Sequence, residues 1–69
     1  MNERLVNRIK LRRTELGLTQ AALADHCLVT RKTINTVENG VFVPSTILAL
    51  KIAAALGEPV EKLFWLNAA

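Results

Sequence analysis

From Gly17 to Pro59 the chain is interrupted by helix caps and stops spaced so closely that no long element fits between them. Gly17-Leu18-Thr19, Leu28-Val29-Thr30, Asn39-Gly40, Pro44-Ser45 and Gly57-Glu58-Pro59 punctuate it. Threonine and serine hydroxyls cap helix N-termini, glycine supplies the left-handed residue at a helix end, and proline suits a first helical turn. What fits is a succession of short helices. Composition agrees, since Ala and Leu dominate and only 4% of residues are aromatic, a balance that favours helix over sheet.

Leu5, Ile9 and Leu16 share one face of an expected first helix over about residues 2–16, stopped by Gly17. Thr19 caps a second helix that turns Leu23, Ala24 and Cys27 inward and breaks at Leu28-Val29, and Thr30 caps a third that runs to Glu38. Two short helices joined by so short a turn make a helix-turn-helix. A fourth helix over Thr46–Leu56 is apolar nearly all round except at Lys51, which predicts the buried centre of the bundle. Pro59 opens a last helix through Leu63 and Phe64 to about Trp65. The expectation is an all-α, five-helix domain occupying residues 1–69, with no repeat or linker dividing it. A chain of this size buries only about 60% of its unfolded surface, so oligomerisation is the expected supplement.

The third helix, 30–38, has two unlike faces. On a wheel that starts from Arg31, Asn35 lies at about 40°, Lys32 at about 100° and Thr36 at about 140°, opposite Ile34 and Val37. Arg and Lys donate to guanine O6 and N7, Asn can pair with adenine N6 and N7, and Thr offers a hydroxyl and a methyl. No carboxylate stands among the four. On its own, a polar outer face is equally compatible with simple solvation.

Context favours the first reading. "GLTQAALAD", "VTRKTINTVENG", "PS" and "ALKIAAALG" occur in order, and the chain resembles the lambda-repressor-like (Cro/Xre-type) helix-turn-helix family from about residue 5 to residue 64. The resemblance implies a recognition helix at 30–38 in the major groove, with Arg31, Lys32, Asn35 and Thr36 on bases. It implies phosphate contacts from Gln20, Thr30, Thr33 and Asn39. It also implies an ion pair between Arg13 and Glu38, which gives a reason for a carboxylate so close to a DNA-binding face.

Leu28 stands where the family usually has glycine, at a turn position often left-handed; there a leucine either stores about 1–2 kcal/mol or forces a different turn. Val41 and Val43 occupy loop positions that are frequently polar or basic in the family the chain resembles, and Phe42 is expected to pack over the core. Cys27 is the single cysteine, so no intramolecular disulfide can form. His26 and Cys27 diverge on a helix and have no partners to complete a metal site; neither is assigned chemistry, and no cofactor or metal is expected. No phosphate loop or nucleophile–base pair suggests an enzyme. Nothing resembles a signal peptide or a membrane span, and a cytoplasmic protein is expected. Nine Lys and Arg against six Asp and Glu give a net charge of +3. Arg4, Arg8, Lys10, Arg12 and Arg13 crowd the first segment, which suggests a polyanionic partner.

Leu63, Phe64, Trp65 and Leu66 are consecutive, so one helix face cannot bury them all. They are expected to form a dimer interface in a C-terminal segment of about 60–69, as in the short relatives the chain resembles. A two-fold dimer would set its recognition helices about 34 Å apart on an inverted-repeat operator with half-sites about 10 bp apart. The expected function is sequence-specific double-stranded DNA binding by a homodimeric transcriptional regulator, a repressor, with no small-molecule ligand and no membrane partner. The alternatives are an antitoxin-type protein or another interaction module that uses the C-terminal apolar patch.

Overall fold

A computed structural model describes residues 3–68. Asn2, the expected start of the first helix, and Ala69, the end of the expected dimerisation segment, lie outside the described residues. The order is β1 (Glu3–Asn7), α1 (Ile9–Glu15), α2 (Gln20–Cys27), α3 (Arg31–Glu38), α4 (Thr46–Leu56), α5 (Val60–Leu63) and β2 (Phe64–Ala68).

The five helices are as expected in number, but the fold is not strictly all-α. β1 and β2 pair antiparallel, with Glu3 opposite Ala68, Leu5 opposite Leu66 and Asn7 opposite Phe64. Residues expected to begin the first helix are therefore a strand, and the last helix stops at Leu63, short of Trp65. Val6, Phe64 and Trp65 suit a pleated, half-buried surface. At the corner of the sheet, the Arg8 N–H donates to the Leu63 carbonyl at 3.0 Å, satisfying the last carbonyl of α5.

Four helices end alike. Gly17, Leu28, Gly40 and Gly57 all have positive φ, and the N–H of the following residue reaches back five positions, as from Val41 to the Thr36 carbonyl at 2.9 Å. This double closure satisfies the orphan carbonyls of a helix C-terminus. Leu28, at φ 59° and ψ 40°, takes a conformation that costs a β-carbon-bearing residue about 1–2 kcal/mol. Of the two outcomes open to Leu28, the strained turn is the one adopted. N-termini are equally regular: Thr19, Thr30 and Ser45 each accept a backbone N–H three residues on.

The core draws on every helix: Ile9 from α1, Leu23 and Cys27 from α2, Ile34 and Val37 from α3, Leu48, Ile52 and Leu56 from α4, and Leu63 from α5, joined by Phe64. Three expectations of burial fail. Leu16 is exposed, because α1 ends before it. Phe42, expected over the core, is half exposed in the loop before α4. α4 is not a buried centre, since Ile47 and Leu50 are 69% and 53% exposed. Neighbouring helices cover the stripe of Leu48, Ile52, Ala53 and Leu56 and leave the far side of α4 open.

Candidate nucleic-acid interface

α3 is an eight-residue helix whose inner face is anchored by Ile34 at 0% and Val37 at 2% exposure. Burial of two such side chains stabilises the helix by roughly 1.5–3 kcal/mol each. Anchored this way, α3 turns Arg31, Lys32 and Asn35 to solvent, with Thr36 partly covered. Among the described residues neither Arg31 nor Lys32 is within ion-pair distance of a carboxylate. Gln20, the first residue of α2, joins Arg31, Lys32 and Asn35 around an open depression between the two helices.

The residues behind this face form one hydrogen-bonded unit. Arg13 Nε and Nη2 donate to Glu38 Oε2 and Oε1 at 2.7 and 3.2 Å, and Arg13 Nη1 donates to the Leu18 carbonyl at 2.9 Å. The fork matches the carboxylate at both oxygens, a geometry that arginine alone offers. The Glu38 side chain is 3% exposed, so the pair ties the end of α3 to α1 in a nearly dry setting. Gln20 Nε2 adds bonds to Glu38 Oε1 at 3.1 Å and to Asn35 Oδ1 at 3.2 Å, and Asn39 Nδ2 donates to the same Asn35 oxygen at 3.2 Å. Thr30 and Thr33 share a hydroxyl–hydroxyl bond at 3.0 Å, while Thr36 Oγ1 donates to the Thr33 carbonyl at 2.9 Å. Thr36 therefore offers the outside a methyl group and lone pairs, its proton being engaged.

Asn7 was missed by sequence reasoning. Its Oδ1 accepts the Ile9 N–H at 3.1 Å, satisfying the first N–H of α1 from one residue ahead of the cap position, and its Nδ2 donates to the Val37 carbonyl at 3.0 Å. It thus joins the start of α1 to the end of α3. An asparagine just ahead of a helix is a cap signal, but a helix read from residue 2 hides it.

Three of the five basic residues that crowd the first segment are engaged within the fold. Arg8 bonds Glu58 at 3.0 Å, Arg12 lies 3.5 Å from the same carboxylate while capping the Leu56 carbonyl at 3.0 Å, and Arg13 is committed to Glu38. These three charges hold helix ends together and are largely spent. Arg31 and Lys32 on α3 are the exposed cations next to the depression.

Of the four residues expected at a dimer interface, Leu63 and Phe64 point into the core of their own chain at 0% and 9% exposure. The turn from α5 into β2 sends them inward, leaving Trp65 and Leu66 outside at 44% and 63%.

A helix-turn-helix family model matches residues 9–63, a span that contains α1 to α5 and every polar residue of the unit around Glu38. The chain belongs to the Cro/Xre-type helix-turn-helix family. Relatives of this helix-turn-helix chain include an uncharacterized HTH-type transcriptional regulator of Methanothermobacter thermautotrophicus, 52% identical over 60 residues, covering 86% of this chain and 87% of the relative. Another, the uncharacterized HTH-type transcriptional regulator YgzD of Bacillus subtilis, is 42% identical over 61 residues, covering 88% and 92%. Among solved structures, the restriction-modification controller protein C.AhdI from Aeromonas hydrophila is similar with a TM-score of 0.77 and 34% identity, covering 81% of this chain and 85% of that one. This is a transcriptional-regulator family with a DNA-binding fold, so double-stranded DNA is the partner class. None of the described helices is long and apolar enough to cross a membrane.

Proposed function

We propose that this protein is a homodimeric repressor that reads a specific operator by inserting α3 into the major groove. One observation carries the reading: α3 is anchored through Ile34 and Val37 and held at its end by Arg13 and Glu38, while its outer face offers two cations unpaired among the described residues, and an amide, without a carboxylate. In this reading Arg31, Lys32, Asn35 and the Thr36 methyl meet base edges, while Gln20, through its backbone N–H at the start of α2, and Thr30, Thr33 and Asn39 fix the register on phosphates. The exposed Trp65 and Leu66 supply part of a two-fold contact, which would set half-sites about 10 bp apart.

Selection of random duplexes by the purified protein, followed by sedimentation of the complex, tests every part together. An inverted repeat bound by two chains is expected, with affinity falling by about 10³–10⁵ between 50 and 200 mM salt if six to ten phosphates are engaged. Enrichment of no sequence refutes operator reading, and one chain per site refutes the dimer.

A further inference from the structure

Glu38 accepts hydrogen bonds and, as a carboxylate held by Arg13, has no proton to give. The Gln20 atom 3.1 Å from its Oε1 must therefore be the amide nitrogen. That nitrogen carries two hydrogens, and the second points to Asn35 at 3.2 Å. Only an acceptor can receive it, so the Asn35 atom facing inward is Oδ1. Asn39 Nδ2 donates to the same oxygen at 3.2 Å, which uses both of its lone pairs. The other end of the side chain, the Nδ2 amino group, faces outward and makes no hydrogen bond with the described residues. The orientation of an exposed amide on the outer face of α3 is thus dictated by a charge pair beneath it.

We propose that Asn35 reads DNA as a donor only, recognising the acceptor edge of guanine, and that Glu38 is the positioning residue that imposes this through Gln20. The proposal rests on the reading of α3 as the helix that enters the groove. Guanine presents N7 and O6, both acceptors, in the major groove. The paired contact with adenine needs Oδ1 to accept from N6, and here that oxygen is already doubly bonded. Cytosine presents its N4 amino group, donor against donor, and thymine offers a single acceptor, O4, beside its methyl group, against the two of guanine. The side-chain type alone suggests adenine; the hydrogen-bond chain behind it selects guanine.

The test compares duplexes selected by the wild-type protein and by Asn35→Ala. The base pair whose preference disappears in Asn35→Ala marks the residue's position, and a G·C pair favoured over A·T by about 5- to 100-fold is expected there. At that guanine, 7-deazaguanine, which lacks the N7 acceptor, should weaken the wild type and leave Asn35→Ala unaffected. Asn35→Asp keeps an oxygen towards Gln20 and Asn39 but turns an acceptor outward, so its preferred base should change from guanine to cytosine. Glu38→Gln, in protein that circular dichroism shows to be folded, lets the Gln20 amide turn over and should shrink the preference for guanine over adenine. An A·T preference at the marked pair, full tolerance of 7-deazaguanine, an Asn35→Ala protein that relaxes no position, or an unchanged preference in folded Glu38→Gln overturns the proposal while DNA binding stands. If the wild type prefers no duplex at all, the reading of α3 falls with it.

Discussion

Glu38→Ala removes the carboxylate that fastens the end of α3 and leaves the Arg13 guanidinium, 13% exposed, without a counter-charge. Breaking one side of a nearly buried pair costs about 3–5 kcal/mol. Total stability for a chain of 69 residues is about 3–10 kcal/mol, so the variant should lie near the edge of unfolding. Replacing both partners, Arg13→Met with Glu38→Leu, removes both charges and roughly keeps the volume, which is close to neutral in comparable cases. From that must be taken about 1 kcal/mol for the Leu18 carbonyl, which loses its donor. Thermal melts followed by circular dichroism measure all three proteins. At about 4–8 °C per kcal/mol for a domain this small, the single variant should melt at least 12 °C or so below wild type. The double variant should recover most of that loss. A Glu38→Ala protein within about 4 °C of wild type, or a double variant no better than the single, would refute the claim that a desolvated charge pair holds α3.

Leu28→Gly should raise the melting temperature, because relief of about 1–2 kcal/mol of left-handed strain outweighs the roughly 0.5–1 kcal/mol that glycine costs in the unfolded chain. The leucine side chain is 83% exposed, so little packing is lost; a lower melting temperature would contradict this. Asn7→Ala orphans the Ile9 N–H and leaves the Val37 carbonyl with the Gly40 N–H as its remaining donor, and should cost about 1–3 kcal/mol in urea titrations, with no loss arguing that water replaces the side chain. Burial pushes the Cys27 thiol up, with the Lys51 ammonium opposing. It should therefore react with a disulfide reagent far more slowly in native protein than in denaturant, and equal rates would show that the core opens freely.

Much of the molecule was legible from local chemistry. The caps at Thr19, Thr30 and Ser45 and the stops at Gly17, Gly40 and Gly57 act within a few residues of themselves, so the bounds of α2, α3 and α4 could be read directly. The two-faced character of α3 is likewise local, because its period is that of the helix. The strand pairing was hidden for the opposite reason: Leu5 and Leu66 lie at opposite ends of the chain, and their bond pattern has no local signature. Leu5 and Ile9 match a helical spacing equally well, and only β2 lying alongside decides for the strand. The open side of α4 was illegible for a related reason, since an apolar residue does not reveal whether a neighbour will cover it.

Sequence by itself determined the bounds of α2, α3 and α4, the family, and the set of side chains on the outer face of α3, because each depends on residue type and short spacing. Tertiary structure alone decided how those side chains are presented. Arg8, Arg12 and Arg13 look like free charge until Glu58 and Glu38 fold against them, and the Asn35 amide has no preferred direction until Gln20 carries the polarity of Glu38 out to it. Hydrogen-bond direction and charge neutralisation belong to pairs of groups, and the pairs exist only once distant segments meet.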